Sequence, residues 1–303
     1  MQKFIIKTIL FFVIIAIIDI VSGKSFAFLV EHAKGGDNWR NNYMCNKTSE
    51  DILVFGSSRA IHHYNPIILS DSLNLSCYNC GQNGNGIILN EARYQLMLQR
   101  YKPKVIIYDV LAKFDLLVGE DNHKYLGWLR AYYDRNGIPE VFESVDGTEK
   151  YKMASQMYRY NTKFLQIITE CIHPLESDGI NGFRPEDKEM DTMKVNKTPI
   201  THQTPVYDSL KISYIKKMIE ESIGTKIIFV VSPLWNGADT IPYQPIRDIC
   251  KEKNIPFYDF SNNPKYVHHN EFFYDGSHMN ARGADEFTKD LIIEHKKHNV
   301  LKY

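Results

Sequence analysis

The chain has 303 residues, 44% apolar and 13% aromatic, enough to bury a substantial core in one large domain or two small ones and too apolar for wholesale disorder. Thirty-six Lys and Arg balance 36 Asp and Glu, so no global field gathers nucleic acid, which disfavours a dedicated DNA binder. Five cysteines are too few for a disulfide-stapled scaffold, and Cys77-x-x-Cys80 has no second pair with which to build a four-thiolate zinc site, so it stands only as a candidate redox loop.

The N-terminus is strongly biased. Lys3 and Lys7 precede an apolar run over 9–18 that resumes at Ile20 and Val21, interrupted by Asp19. Residues 4–21 just reach spanning length, whereas the uninterrupted part is nearer that of a signal peptide. Two readings of 1–27 therefore stand: an uncleaved membrane anchor, or a signal segment removed after Ser25-Phe26-Ala27. The lysines precede the run, so both place the rest of the chain outside the cytoplasm, periplasmic or extracellular.

After a polar connector over 28–50, short apolar runs are expected as strands at 52–55, 75–78, 104–110, 226–231 and 255–260, separated by helix-length segments. Such alternation, with continuous β-branched runs, predicts a five-stranded, mainly parallel sheet with a flavodoxin-like arrangement in a three-layer α/β/α sandwich spanning 51–303. A last helix is expected over 281–297. The stretch 116–207 is too long for a crossover and too poorly patterned for a second sheet, so it reads as a helical insert. Its Trp128, Tyr132, Tyr133, Tyr158 and Tyr160 either line a groove or pack the insert onto the sheet. Residues 185–205 read as an exposed loop.

In a parallel α/β sheet the ligand crevice lies beyond the carboxyl ends of the strands, where this chain places Ser58, Gly84, Asp109, Asp275 and His278. A serine between strand and helix either caps that helix or projects its hydroxyl into the crevice beside free backbone N–H groups. Asp275-x-x-His278 puts an acid and an imidazole within one turn, so one loop can supply a base and the group that orients it.

These blocks resemble those of the SGNH, or GDSL-like, hydrolase superfamily. Gly56-Ser57-Ser58-Arg59 looks like its nucleophile block with serine in place of the usual aspartate; Asn79-Cys80-Gly81-Gln82-Asn83-Gly84 is similar to its N-x-G-x-x-G block; Asp275 and His278 match its D-x-x-H block. The resemblance implies Ser58 as nucleophile, His278 as base, Asp275 as its orienting partner, and the Ser58 and Gly84 amides as oxyanion donors, with no cofactor. It departs in the third block, where an asparagine is usual and this chain has Tyr108-Asp109-Val110-Leu111. Asp109 cannot donate while ionised, so its expected role is to bind a substrate hydroxyl or cationic group; Asn83 or Asn85 stands as a substitute oxyanion donor or substrate contact, and Arg59 either binds an anionic substrate group or, as the favoured reading, solvates the helix start or forms a salt bridge. Exported members with this GSS start look similar to envelope polymer acyl-transfer proteins. The implied function is serine-dependent hydrolysis or transfer of O-acyl groups, O-acetyl included, on an envelope or extracellular carbohydrate. The other class of reading is a catalytically weak protein that binds a glycan or partner in the same crevice.

His62-His63 and His268-His269 lack zincin-like spacing, and Gly81, Gly84 and Gly86 form neither G-x-G-x-x-G nor a P-loop, so neither a metal nor a dinucleotide is expected.

Overall fold

The computed structural model describes residues 1–172, 179–191 and 204–297. The chain begins with α1 (Gln2–Glu31) and α2 (Gly36–Asn46), then alternates β1 (Ile52–Gly56), α3 (Ser58–His63), α4 (Pro66–Leu73), β2 (Cys77–Asn79), α5 (Ile87–Leu98) and β3 (Val105–Asp109). Next come α6 (Ala112–Asp115), α7 (His123–Leu126), α8 (Ile138–Val145), α9 (Glu149–Met153) and α10 (Phe164–Ile172). The core resumes with α11 (Ser209–Glu221), β4 (Lys226–Val231), α12 (Gln244–Lys253), β5 (Phe257–Asp259) and α13 (Ala281–Lys297).

The five strands are all parallel, in the order β2-β1-β3-β4-β5. Their buried residues alternate between two cores because successive side chains point to opposite faces. Leu53, Phe55, Ile106, Tyr108 and Phe229 pack with α2, α5, α11, α12 and the insert, whereas Ile52, Val54, Val105, Ile107 and Val230 pack with α3, α4 and α13. This is the three-layer α/β/α sandwich expected. Cys77 and Cys80 are buried in opposite cores with no disulfide between them, which argues against the candidate redox loop.

The insert leaves and rejoins the core at one point, where Leu117 bridges Tyr207, and its residues 123–172 are built mainly of short helices. Of its aromatics, Tyr132 and Tyr160 are buried in packing: the Tyr132 hydroxyl donates to Asn42, and Tyr160 stacks on Phe26. Of the loop expected over 185–205, residues 192–203 lie outside the described residues; 179–191 cross α3 as an ordered strap.

The stretch expected as a polar connector instead holds α2. Its polarity serves burial: Arg40 is fully enclosed, and the carboxylate of Glu170 accepts from the Asn38 N–H (3.0 Å) and Asn38 Nδ2 (2.7 Å) at the helix start.

Candidate functional site

The reversal of strand order between β1 and β3 opens the crevice at their carboxyl ends. There β1 ends at Gly56, whose φ of +147° suits glycine; a Cβ at this position would lie 2.8 Å from the Asp109 carbonyl oxygen. Ser57 caps α3 and leaves Ser58 as its first residue, where the backbone N–H has no intrahelical acceptor.

Ser58 and His278 are 220 residues apart in sequence, yet the Ser58 hydroxyl lies 2.8 Å from His278 Nε2. His278 Nδ1 lies 2.9 Å from Asp275 Oδ2 and 3.1 Å from Oδ1, which assigns the ring proton to Nδ1 and leaves Nε2 as acceptor. The Asp275 carboxylate also accepts the N–H groups of Ser277 (2.7 Å) and His278 (2.8 Å). Partial burial opposes its ionisation, but the bonds from His278 and Ser277 outweigh this and lower its pKa to about 2. Phe273 and Met279 bridge at the base of this loop, and the Asn280 side chain accepts the Gly283 N–H at the start of α13.

The second block packs directly on α3: a Cβ on Gly81 would come within 2.8 Å of both Ala60 Cβ and the Ile61 nitrogen. Asn79 holds both pieces, donating from Nδ2 to the carbonyls of Ala60 (2.6 Å) and Tyr64 (3.0 Å) and accepting the Gly81 N–H (3.0 Å). Buried Arg40 donates to the carbonyls of Asn79 (2.7 Å), Gly81 (2.9 Å) and Gly182 (2.8 Å), clamping loop and strap together. Gly84 takes φ +65° at the exposed tip beside exposed Asn83. Asn85 is buried, and its amide donates to the Asn83 carbonyl (2.7 Å), so that donor is engaged within the loop.

Arg59 takes the salt-bridge alternative, and its partner Asp109 departs from the expectation of substrate contact. They are 1% and 0% exposed and face each other, with Arg59 Nε and Nη2 each 3.1 Å from an Asp109 oxygen. Asp109 Oδ1 also accepts from the Tyr64 hydroxyl (3.1 Å) and the Ser232 N–H (2.9 Å). Opposite charges buried in one place are stabilised by pairing, so the aspartate in the third block ties β3 to β4 and to α3.

Two histidines next to Ser58 behave differently. His63 is fully buried: its Nδ1 donates to Ser232 Oγ (2.9 Å), and its Nε2 accepts the Met279 N–H (3.0 Å). Burial, reinforced by the Arg59 charge, holds its pKa well below the usual imidazole value. His62 sits edge-on to the His278 ring at 5.3 Å between centroids, and its Nδ1 donates to the Arg184 carbonyl (2.7 Å); burial lowers its pKa to about 4. Sequence reading missed Arg40, His63 and Ser232. Of these only His63 stood beside a motif, and its spacing carries no sign of its partners.

His123, Asp146 and Glu149 in the insert bring ligand atoms within 4.8 Å of one another, but His123 faces both carboxylates and Lys152 already pairs with Glu149 at 2.6 Å. Ion pairing accounts for this cluster.

No family model and no curated protein matches the chain. Among solved structures, a protein assigned to the lipolytic G-D-S-L family from Desulfitobacterium hafniense DCB-2 superposes with a TM-score of 0.38 at 11% identity, covering 79% of this chain and 96% of that one. A protein described as a platelet activating factor from Streptococcus pneumonia gives 0.42 at 11% identity, covering 88% and 94%. The acetyl xylan esterase Est2A from Butyrivibrio proteoclasticus gives 0.37 at 10% identity, covering 82% and 64%. What defines the site is the chain's own geometry: a three-layer α/β/α sandwich with Ser58, His278 and Asp275 hydrogen-bonded in series beyond the strand ends.

Proposed function

We propose that the chain is a serine-dependent esterase or acyltransferase acting on O-acyl groups, acetyl among them, of an envelope or extracellular carbohydrate. The observation that carries this reading is the 2.8 Å approach of Ser58 Oγ to His278 Nε2, with Nδ1 of the same ring on Asp275. In the reaction His278 takes the Ser58 proton as Oγ attacks the ester carbonyl. The free N–H of Ser58, with that of Gly84, faces the developing oxyanion. Asp275, ionised throughout the neutral range, holds the ring and supports the imidazolium. His278 then protonates the departing alcohol. Water or a sugar hydroxyl, deprotonated by the same ring, releases the acyl group to solvent or to an acceptor.

The carbohydrate assignment is supported by the motif resemblance and the exported address. In this reading α1, the only described helix long and apolar enough to cross a membrane, anchors the domain on the outer side. The test is acetate release from p-nitrophenyl acetate and acetylated xylan, with and without a free sugar acceptor, by wild type and Ser58→Ala. Ser58-dependent release supports the reading. Release unchanged in Ser58→Ala, or none from folded wild type, overturns it in favour of a binding protein that uses the same crevice.

A further inference from the structure

The geometry points to a second membrane contact: the insert, through residues 155–172, rests in the lipid surface beside α1. This rests on the reading of α1 as a membrane anchor and adds to it a surface of the folded domain.

The first observation concerns depth. A bilayer core takes about 20 helical residues. Counted from Lys3 or from Lys7, the span ends near Gly23 or Ala27, so Asp19 lies inside the apolar region. Its carboxylate is not left bare: it accepts the Ser155 hydroxyl (2.6 Å) and the N–H groups of Gln156 (2.8 Å) and Met157 (3.0 Å). Gly23 packs against Gln156 so closely that a Cβ would sit 2.4 Å from Gln156 Cβ, and the Phe26 and Phe164 rings meet tilted with centroids 4.8 Å apart. Residues 155–157, which meet α1 at Asp19 and Gly23, therefore lie at or below the lipid boundary, and α10, which meets α1 from Phe26 to Val30, lies just outside it in the headgroup layer.

The second observation is the outward face of α10. Leu165, Ile168, Thr169 and Ile172 recur at helical spacing and are all exposed, Leu165 at 81% and Ile172 at 63%. A helix face turned to water ordinarily carries charge; this one carries none. The helix's one charged residue, Glu170, is turned inward onto the start of α2, and the Thr169 hydroxyl donates to the Leu165 carbonyl (2.8 Å), which satisfies it without water. The opposite face packs Ile167 against Val30 and Tyr160, so α10 is apolar on both sides. Met157, whose N–H donates to Asp19 (3.0 Å), adds exposed apolar surface beside α1. Lipid is the occupant favoured because this face continues the exposed apolar surface of α1, onto which α10 packs through Cys171 and Leu29.

The test places an environment-sensitive nitrobenzoxadiazole label on single cysteines at 165, 168 or 172 of the full chain. The background is Cys171→Ser, the other four cysteines being buried. The protein is reconstituted into phosphatidylethanolamine–phosphatidylglycerol vesicles containing lipids that bear a nitroxide near the headgroup or deep in the acyl chain. Controls are a label at Leu10 and one at Ile293, which is exposed on α13 across the sheet. The inference predicts loss of emission by the shallow nitroxide at 165, 168 and 172, by the deep one at Leu10, and by neither at Ile293. Water-like, unquenched labels on α10 with Leu10 quenched would overturn the inference and leave the anchor standing. Apolar but unquenched labels on α10 would also overturn it, in favour of a protein partner or a second copy. An unquenched Leu10 would remove the anchor reading itself.

Discussion

His63 Nε2 accepts the backbone N–H of Met279 at 3.0 Å, which joins the helix that begins with Ser58 to the loop that carries His278. The same ring donates to Ser232 at the end of β4, and Ser232 in turn donates its N–H to Asp109, the partner of Arg59. A continuous buried network thus runs beneath Ser58 and His278, and in the proposed reaction its members are positioning residues rather than substrate contacts.

His63→Phe keeps an aromatic ring in the cavity but leaves the Met279 N–H without its acceptor. An unsatisfied buried donor costs about 1–3 kcal/mol, and small misplacement of a reacting group costs up to about 100-fold in rate. We expect kcat for p-nitrophenyl acetate to fall by about 10- to 100-fold while KM moves little. Steady-state kinetics on the folded variant, checked by circular dichroism, decides the point. Unchanged kcat would reduce His63 to packing.

The Arg59–Asp109 pair makes a stability prediction. Removing one member of a buried ion pair strands the other and typically costs about 3–5 kcal/mol, whereas replacing both by apolar groups costs much less. Arg59→Met and Asp109→Asn should each lower the urea midpoint strongly, and Arg59→Met/Asp109→Leu should recover part of the loss. Equal destabilisation by the double variant and the sum of the singles would show that the two residues are not coupled.

Acid sensitivity follows from His62 and His63. Burial depresses both folded-state pKa values, to about 4 for His62 and well below the ordinary 6.5 for His63. The unfolded chain therefore binds more protons below about 6.5. The stability they contribute is complete above that value and is lost as pH falls toward the folded-state values. Tm should drop between pH 7 and 5, and His62→Asn should flatten that drop. Thermal melts across this range in wild type and variant test it; identical slopes would assign the acid sensitivity elsewhere.

Much of this architecture is legible in the amino-acid sequence. β1, β3 and β4 are buried on both faces, so they appear as unbroken β-branched runs; β5, a three-residue edge, is shorter than its apolar run. Ser58, Asp275 and His278 stood out because each sits at a strand end or in a local motif. Arg40 and His63 did not, since their partners lie as far as 142 and 216 residues away and nothing in the chain marks an arginine or histidine as buried. Arg59 and Asp109 show a related limit. Two opposite charges at a crevice mouth read alike whether they face substrate or each other, and only the packing of α3 against β3 decides.

The most direct test of the account is covalent labelling by a fluorophosphonate, read by intact mass on the full chain in detergent, with Ser58→Ala and Asp275→Asn alongside. An activated nucleophile predicts one adduct on wild type, none on Ser58→Ala, and labelling slowed by about 10²- to 10⁴-fold in Asp275→Asn, where the ring loses its orienting charge. Folded wild-type protein that takes up no label, while a control hydrolase in the same tube is labelled, would contradict the assignment of Ser58 as a nucleophile.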